Sequence, residues 1–253
     1  MDRSDMLDRL KKMFEEDPDN INILEEVIDV DLQLKYFKAS VKAKKELNTE
    51  EVMANKDSLF SAETAKKEKR KLLAQLASIN QVEAYRIIER YVGEADPTIK
   101  KWAILALQES RMLIHASLLD TAPVFISTGL GGKGKKLRYF AVFLSNSGEP
   151  FSNLQQSIIQ GELEFVATKS ASEIEKIEFH PNYCTVMILI PLKQSIKDTF
   201  GEVVTNCNEF GGFLHHSFMV TNVKKLSEAD ILHAISQSKD NNNQANDDQS
   251  QTQ

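Results

Sequence analysis

The stretch Ala122-Pro-Val-Phe-Ile-Ser-Thr-Gly-Leu-Gly-Gly-Lys-Gly-Lys-Lys-Leu-Arg-Tyr-Phe-Ala-Val-Phe-Leu144 separates two kinds of periodicity. Before it, apolar residues recur at helical intervals. After it, short apolar runs alternate with amphipathic ones. Within it, Leu137–Leu144 is apolar on both faces of an extended chain and reads as a buried strand. Pro123–Thr128 reads as its hairpin partner, with Gly129–Lys136 as the tip.

The tip satisfies two phosphate-loop templates on paper. Gly129, Gly131 and Gly134 fit GxGxxG, and Gly129 with Gly134-Lys135 fits the opening of a Walker A loop. Both motifs need a helix directly after the loop, so that its first N–H groups face the phosphates. A strand follows here, and Lys136 stands where the Mg²⁺-holding Ser or Thr would be. The pattern therefore argues against a nucleotide-hydrolysing loop. It leaves a Gly/Lys hairpin in which Lys133, Lys135, Lys136 and Arg138 form a basic finger for phosphate, RNA or an acidic partner.

Working towards the C-terminus, Ser152 or Asn153 caps a helix bearing Leu154, Ile158, Ile159, Phe165 and Val166. Ile174–His180 and Tyr183–Ile190 read as a strand pair around Pro181-Asn182. A helix follows at about 194–210, then a strand at Phe213–Val220 and a capped helix from Ser227. From Leu137 the order is βαββαβ, the split-βαβ or ferredoxin-like pattern. Residues 237–253, almost all Gln, Asn, Asp and Ser, lack the apolar content to form a core and are expected to be disordered.

Towards the N-terminus, Met6, Leu7, Leu10, Met13 and Phe14 space a helix over 4–16. Asp19 or Asn20 is expected to cap a second one carrying Ile21, Leu24, Val27, Ile28, Leu32 and Leu34. Thr49-Glu-Glu-Val opens a short element, and 57–61 reads as a connection. Helices are expected from Ser61, from Asn80, and from Asp96-Pro97 to about Leu118. An Asp followed by a first-turn proline is a strong start signal. The segment Asn80–Leu107, with Asp96-Pro-Thr-Ile-Lys-Lys-Trp-Ala-Ile-Leu-Ala-Leu, resembles one HEAT-type repeat unit. That resemblance implies a helical domain presenting a groove to a protein partner. An irregular bundle accounts for the same residues.

The expected architecture is thus α+β. An all-α domain, HEAT-like or an irregular bundle, spans 1–120. An α/β sandwich of ferredoxin-like order spans 121–237, and 238–253 is a polar tail.

The bulk numbers constrain function. The chain has 253 residues, 42% apolar and 27% charged, as in an ordinary globular protein. No run is long enough to span a membrane, and the charged first residues do not read as a signal peptide. Cys184 and Cys207 make no disulfide framework, so a cytoplasmic location is expected. Net charge is −6. Residues 1–60 hold 10 basic against 15 acidic side chains, 61–120 hold 10 against 8, and 121–253 hold 11 against 14. That overall balance predicts no duplex DNA as partner.

The densest basic run, Lys66-Lys67-Glu68-Lys69-Arg70-Lys71, covers a whole helical circumference and reads as a solvated helix start. Joined to the Gly/Lys finger, it makes a second candidate basic surface. Tyr85, Tyr91 and Trp102 lie at core spacing. Histidines 115, 180, 215, 216 and 233 and the two cysteines show no metal-ligand spacing, and adjacent His215 and His216 point to opposite faces of a strand. No catalytic residue, metal or cofactor is assigned, and the balance leans against an enzyme. The leading expectation is a non-catalytic protein–protein interaction or adaptor protein. The alternatives are an RNA- or ribosome-associated factor using 129–138, or a ligand-binding α/β half with His215, His216 and Cys184 around a pocket.

Overall fold

The computed structural model describes residues 21–119 and 124–235. The expected helix over 4–16 and the polar tail lie outside them. The chain forms two compact units, 1–137 and 138–253. The fold is mixed α and β.

In the first unit, β1 (Ile21–Ile23) precedes α1 (Val30–Lys45) and α2 (Thr49–Ala54). A 3₁₀ turn at Lys56–Leu59 leads to α3 (Lys66–Ala77), α4 (Val82–Glu94) and α5 (Pro97–Leu119). The expected helix from residue 19 or 20 is corrected. Ile21-Asn-Ile is a strand, and the helix begins nine residues later, at Val30. Asp29 caps it by accepting from the N–H groups of Asp31 and Leu32. β1 pairs in parallel with β2 (Val124–Ile126), Ile21 opposite Val124. Sequence periodicity over three residues cannot reveal a partner about a hundred positions away. The same pairing corrects Pro123–Thr128 as the hairpin mate of the long strand.

The core of this unit is built from one face of each helix. Leu72, Leu73 and Leu76 of α3 meet Ala84 and Ile88 of α4 and Ile99, Ala103 and Ala106 of α5, all nearly inaccessible. The helix expected from Ser61 starts at Lys66, because 61–65 form turns.

A two-residue strand β3 (Gly132–Lys133) turns back on the start of β4 (Lys136–Ser145), with Gly132 opposite Leu137 and Lys133 opposite Lys136. β4 then runs on into the second unit. There follow α6 (Asn153–Lys169), β5 (Glu173–Phe179), β6 (Tyr183–Pro191), α7 (Ile196–Asn208), β7 (Leu214–Thr221) and a terminal helix α8 (228–235). The strand order is β7-β4-β6-β5, antiparallel in the β4–β7 and β5–β6 pairs. Register shifts mark the β5–β6 ladder between Ile174 and Lys176.

Alternation along the strands sorts side chains by face. Ala141, Phe143, Cys184, Val186, Ile188 and Ile190 meet α6 and α7 in one core. On the opposite face Phe140, Val142, Thr185 and Leu189 are also each less than 5% exposed. The two central strands therefore present no open aromatic platform. Ser152 opens α6 with a reciprocal capping box to Gln155.

Candidate functional site

The Gly/Lys loop is packed rather than open. Gly131 sits at φ +67°, and a Cβ there would fall inside van der Waals contact of the Glu25 and Glu26 backbone oxygens. A Cβ on Gly132 would meet the Lys136 carbonyl and Ile23. The Gly134 N–H donates to Glu25 Oε1 at 2.9 Å, and Lys135 Nζ donates to the Ile21 carbonyl at 2.7 Å. A backbone donor that a phosphate would need thus faces a carboxylate. The glycines are explained by close approach to the segment between β1 and α1.

The four expected finger residues have different local surroundings. Lys133 and Lys136 are register partners in the hairpin. Lys135 is turned onto β1. Arg138 makes a two-pronged bond to Glu175 of β5, Nε–Oε2 at 2.6 Å and Nη2–Oε1 at 2.8 Å, with its side chain only 16% exposed.

The second basic run is arranged differently. Along α3, Lys66 approaches Asp96 at 3.9 Å. Lys69 Nζ lies over the Tyr91 ring at 5.8 Å, and the Arg70 guanidinium over Trp102 at 5.3 Å. Arg70 Nη2 also donates to the Thr98 carbonyl, while Trp102 Nε1 donates to the Arg70 carbonyl. Arg70 Nε is buried without a hydrogen-bond partner, so the ring face is its main compensation. Lys67 and Lys71 point to solvent.

Two arginines of α4 extend this pattern. Arg90 stacks on Phe60 at 3.7 Å and Arg86 lies over Tyr85 at 5.8 Å. Phe60 in turn meets Tyr91 edge-on at 5.6 Å. A cavity of about 300 Å³ opens here, lined by Phe60, Lys66, Lys69, Tyr91 and Asp96 among others. Hydrogen bonds from the Thr98 side chain and backbone, then Lys66 and Lys69, hold the Asp96 carboxyl below the usual range. Burial, then the Asp96 charge, pushes the Tyr91 phenol up. Asp96 is occupied as the cap of α5, and the rim carries Lys66 and Lys69 together with the carboxylates Glu94 and Asp96.

Sequence reading found Lys66, Lys69 and Arg70 but missed Phe60, Arg86 and Arg90. The available signal was the i,i+4 spacing of Arg86 and Arg90 beside Tyr85 and Tyr91.

In the second unit Cys184 is fully buried in the helix-side core and lines no such opening. Burial pushes the thiols of Cys184 and Cys207 up to about 12. His215 accepts the Ser217 N–H on Nδ1 at 3.0 Å, and His216 is exposed. Among the described residues no three His, Cys, Asp or Glu side chains are grouped to hold a metal ion. No helix among them is long and apolar enough to cross a membrane.

No protein-family model and no curated protein matches the chain. Solved structures that resemble part of it include two transposases. One is described as a transposase from Deinococcus radiodurans R1, with 17% identity, TM-score 0.36, and coverage of 42% of this chain and 95% of that one. The other is a REP-associated tyrosine transposase bound to a REP hairpin, with 13% identity, TM-score 0.31, and coverage of 40% of this chain and 62% of that one. The chain thus spans less than two thirds of the second structure. Both are described as transposases. The expectation of a non-catalytic interaction or adaptor protein is corrected accordingly. The expectation that duplex DNA is no partner is corrected as well, because it rested on net charge alone. The physical error was to apply whole-chain charge to a local surface. Charges beyond about 10 Å are screened at ordinary salt, so a patch acts on its own.

Proposed function

We propose that the helical unit binds nucleic acid, gripping an unpaired base and its phosphate at the cleft between α3, α4 and the start of α5. One observation carries this reading. Four cation–ring pairs fall within residues 60–102, where such pairs occur about once per 70–80 residues in proteins generally. Cations alternating with aromatic faces are the chemistry by which proteins hold unpaired strands: rings stack bases, and ammonium and guanidinium groups neutralise phosphates. The 300 Å³ cleft is on the scale of a single base rather than a duplex groove.

The βαββαβ unit, which we read as a ferredoxin-like sandwich, supports the chain as scaffold in this scheme, since its central strands are buried on both faces. Two free thiols fit a reducing, cytoplasmic setting.

The test is fluorescence anisotropy with labelled single-stranded DNA, single-stranded RNA and duplex DNA at low and high salt. Single strands should bind more tightly than duplex. The triple variant Lys66→Ala, Lys69→Ala, Arg90→Ala should lower the salt slope by about 2, at about 0.7 per lost contact. Phe60→Ala should weaken binding by about 1–3 kcal/mol with little change in that slope. Binding that ignores all four substitutions would overturn the proposal.

A further inference from the structure

A second cavity, of about 310 Å³, lies between α1, α5 and β2. Its walls are apolar: Phe37, Val41, Leu105, Met112, Leu113 and Phe125. Phe37 and Val41 are 40% and 56% exposed, although α1 has a buried side for such residues. One end of the cavity is polar, formed by Ser40, Lys44 and Glu109.

The polar end is organised around Glu109. Its side chain is 15% exposed. Oε2 accepts from Tyr36 Oη at 2.6 Å, and Oε1 accepts from Ser40 Oγ and Lys44 Nζ, each at 2.6 Å. Burial, then the Glu109 charge, keeps the Tyr36 phenol well above its ordinary pKa, so it remains a donor. A carboxylate offers about four acceptor positions, and three are filled here. The Lys44 ammonium carries three N–H donors and lies at the mouth, 54% exposed. The cavity therefore ends in one acceptor position beside a cationic donor.

We propose that this cavity binds a neutral apolar molecule bearing one hydroxyl group. A hydroxyl both donates and accepts, so it can donate to Glu109 while accepting from Lys44. A ligand carboxylate would only accept and would face Glu109. A ligand ammonium would only donate and would face Lys44. The volume holds roughly ten water-sized groups at about 30 Å³ each, which is the scale of a medium-chain alcohol.

The experiment titrates the full chain with octanol, octanoate and octylamine, read by thermal midpoint and by the Met112 methyl resonance. Octanol should raise the midpoint saturably and shift the methyl signal, with the two charged analogues binding about tenfold or more weaker. Leu113→Trp should fill the cavity and abolish the octanol response. Lys44→Met, at an exposed position where folding is not at stake, should erase the preference for the alcohol over octylamine. Equal binding of octanol and octanoate would overturn the headgroup assignment. A Leu113→Trp variant that still binds octanol, or no saturable response to any of the three, would overturn the site.

Discussion

The two units use aromatic residues in different ways. In the α/β unit rings pack on rings: Phe143 with Phe200 and Phe218, Phe151 with Phe179 and Phe213, and His180 stacked on Tyr183 at 4.4 Å. In the helical unit every ring of the 60–102 region that meets a cation keeps one face against it. A ring among rings contributes burial and shape. A ring under a cation near the surface keeps a polarised face that a ligand base can compete for. Under the proposed function, the contrast assigns recognition to the helices and packing to the sheet.

The largest expected effect concerns the buried thiols. With Cys184 and Cys207 at about 12 against an ordinary 9, their thiolate fraction at neutral pH falls about a thousandfold. A disulfide exchange reagent should label them only at the rate of opening or unfolding. The folded state holds these protons above pH 9, where the unfolded chain loses them, so stability should fall as pH rises from about 9 to 12. Rapid native-state labelling near pH 8 would show that the α/β unit is not rigid.

Next is a pair of truncations. Phe200→Ala, at a site of zero exposure, should cost about 3–5 kcal/mol in urea unfolding. Lys69→Ala, over Tyr91, should cost about 0.5–1 kcal/mol. Equal costs would erase the distinction between the two kinds of ring.

A finer contrast lies inside the Gly/Lys loop. Gly131→Ala combines positive φ with backbone collision and should destabilise by about 2–3 kcal/mol. Gly134→Ala meets nothing within 4 Å and should cost only the left-handed penalty, about 1 kcal/mol. A similarly small effect is expected for Glu175→Gln, at about 1 kcal/mol and reduced in high salt, because the Arg138–Glu175 pair is partly shielded.

Local chemistry was legible in the sequence wherever a cap or a long run was present. Asp96-Pro97 announced α5, Ser152 announced α6, and the apolar run after Lys136 announced β4. Non-local pairing was not. Ile21–Ile23 and Val124–Ile126 are each three residues long and have meaning only together. The cleft was half legible: the lysines showed in composition. Phe60 lay in a segment read as a connection, and only helix packing brings it against Arg90. Glu109 gave no signal at all, because its three donors all come from α1.

The register shift in β5 has a consequence for the chain in company. β5 is an outer strand, and it carries Glu173, Glu175, Lys176 and Glu178 along seven residues. An irregular, charged border is a poor template for a strand from another molecule. At the crowding of a cell this rim should keep neighbouring copies from zipping edge to edge into fibrils.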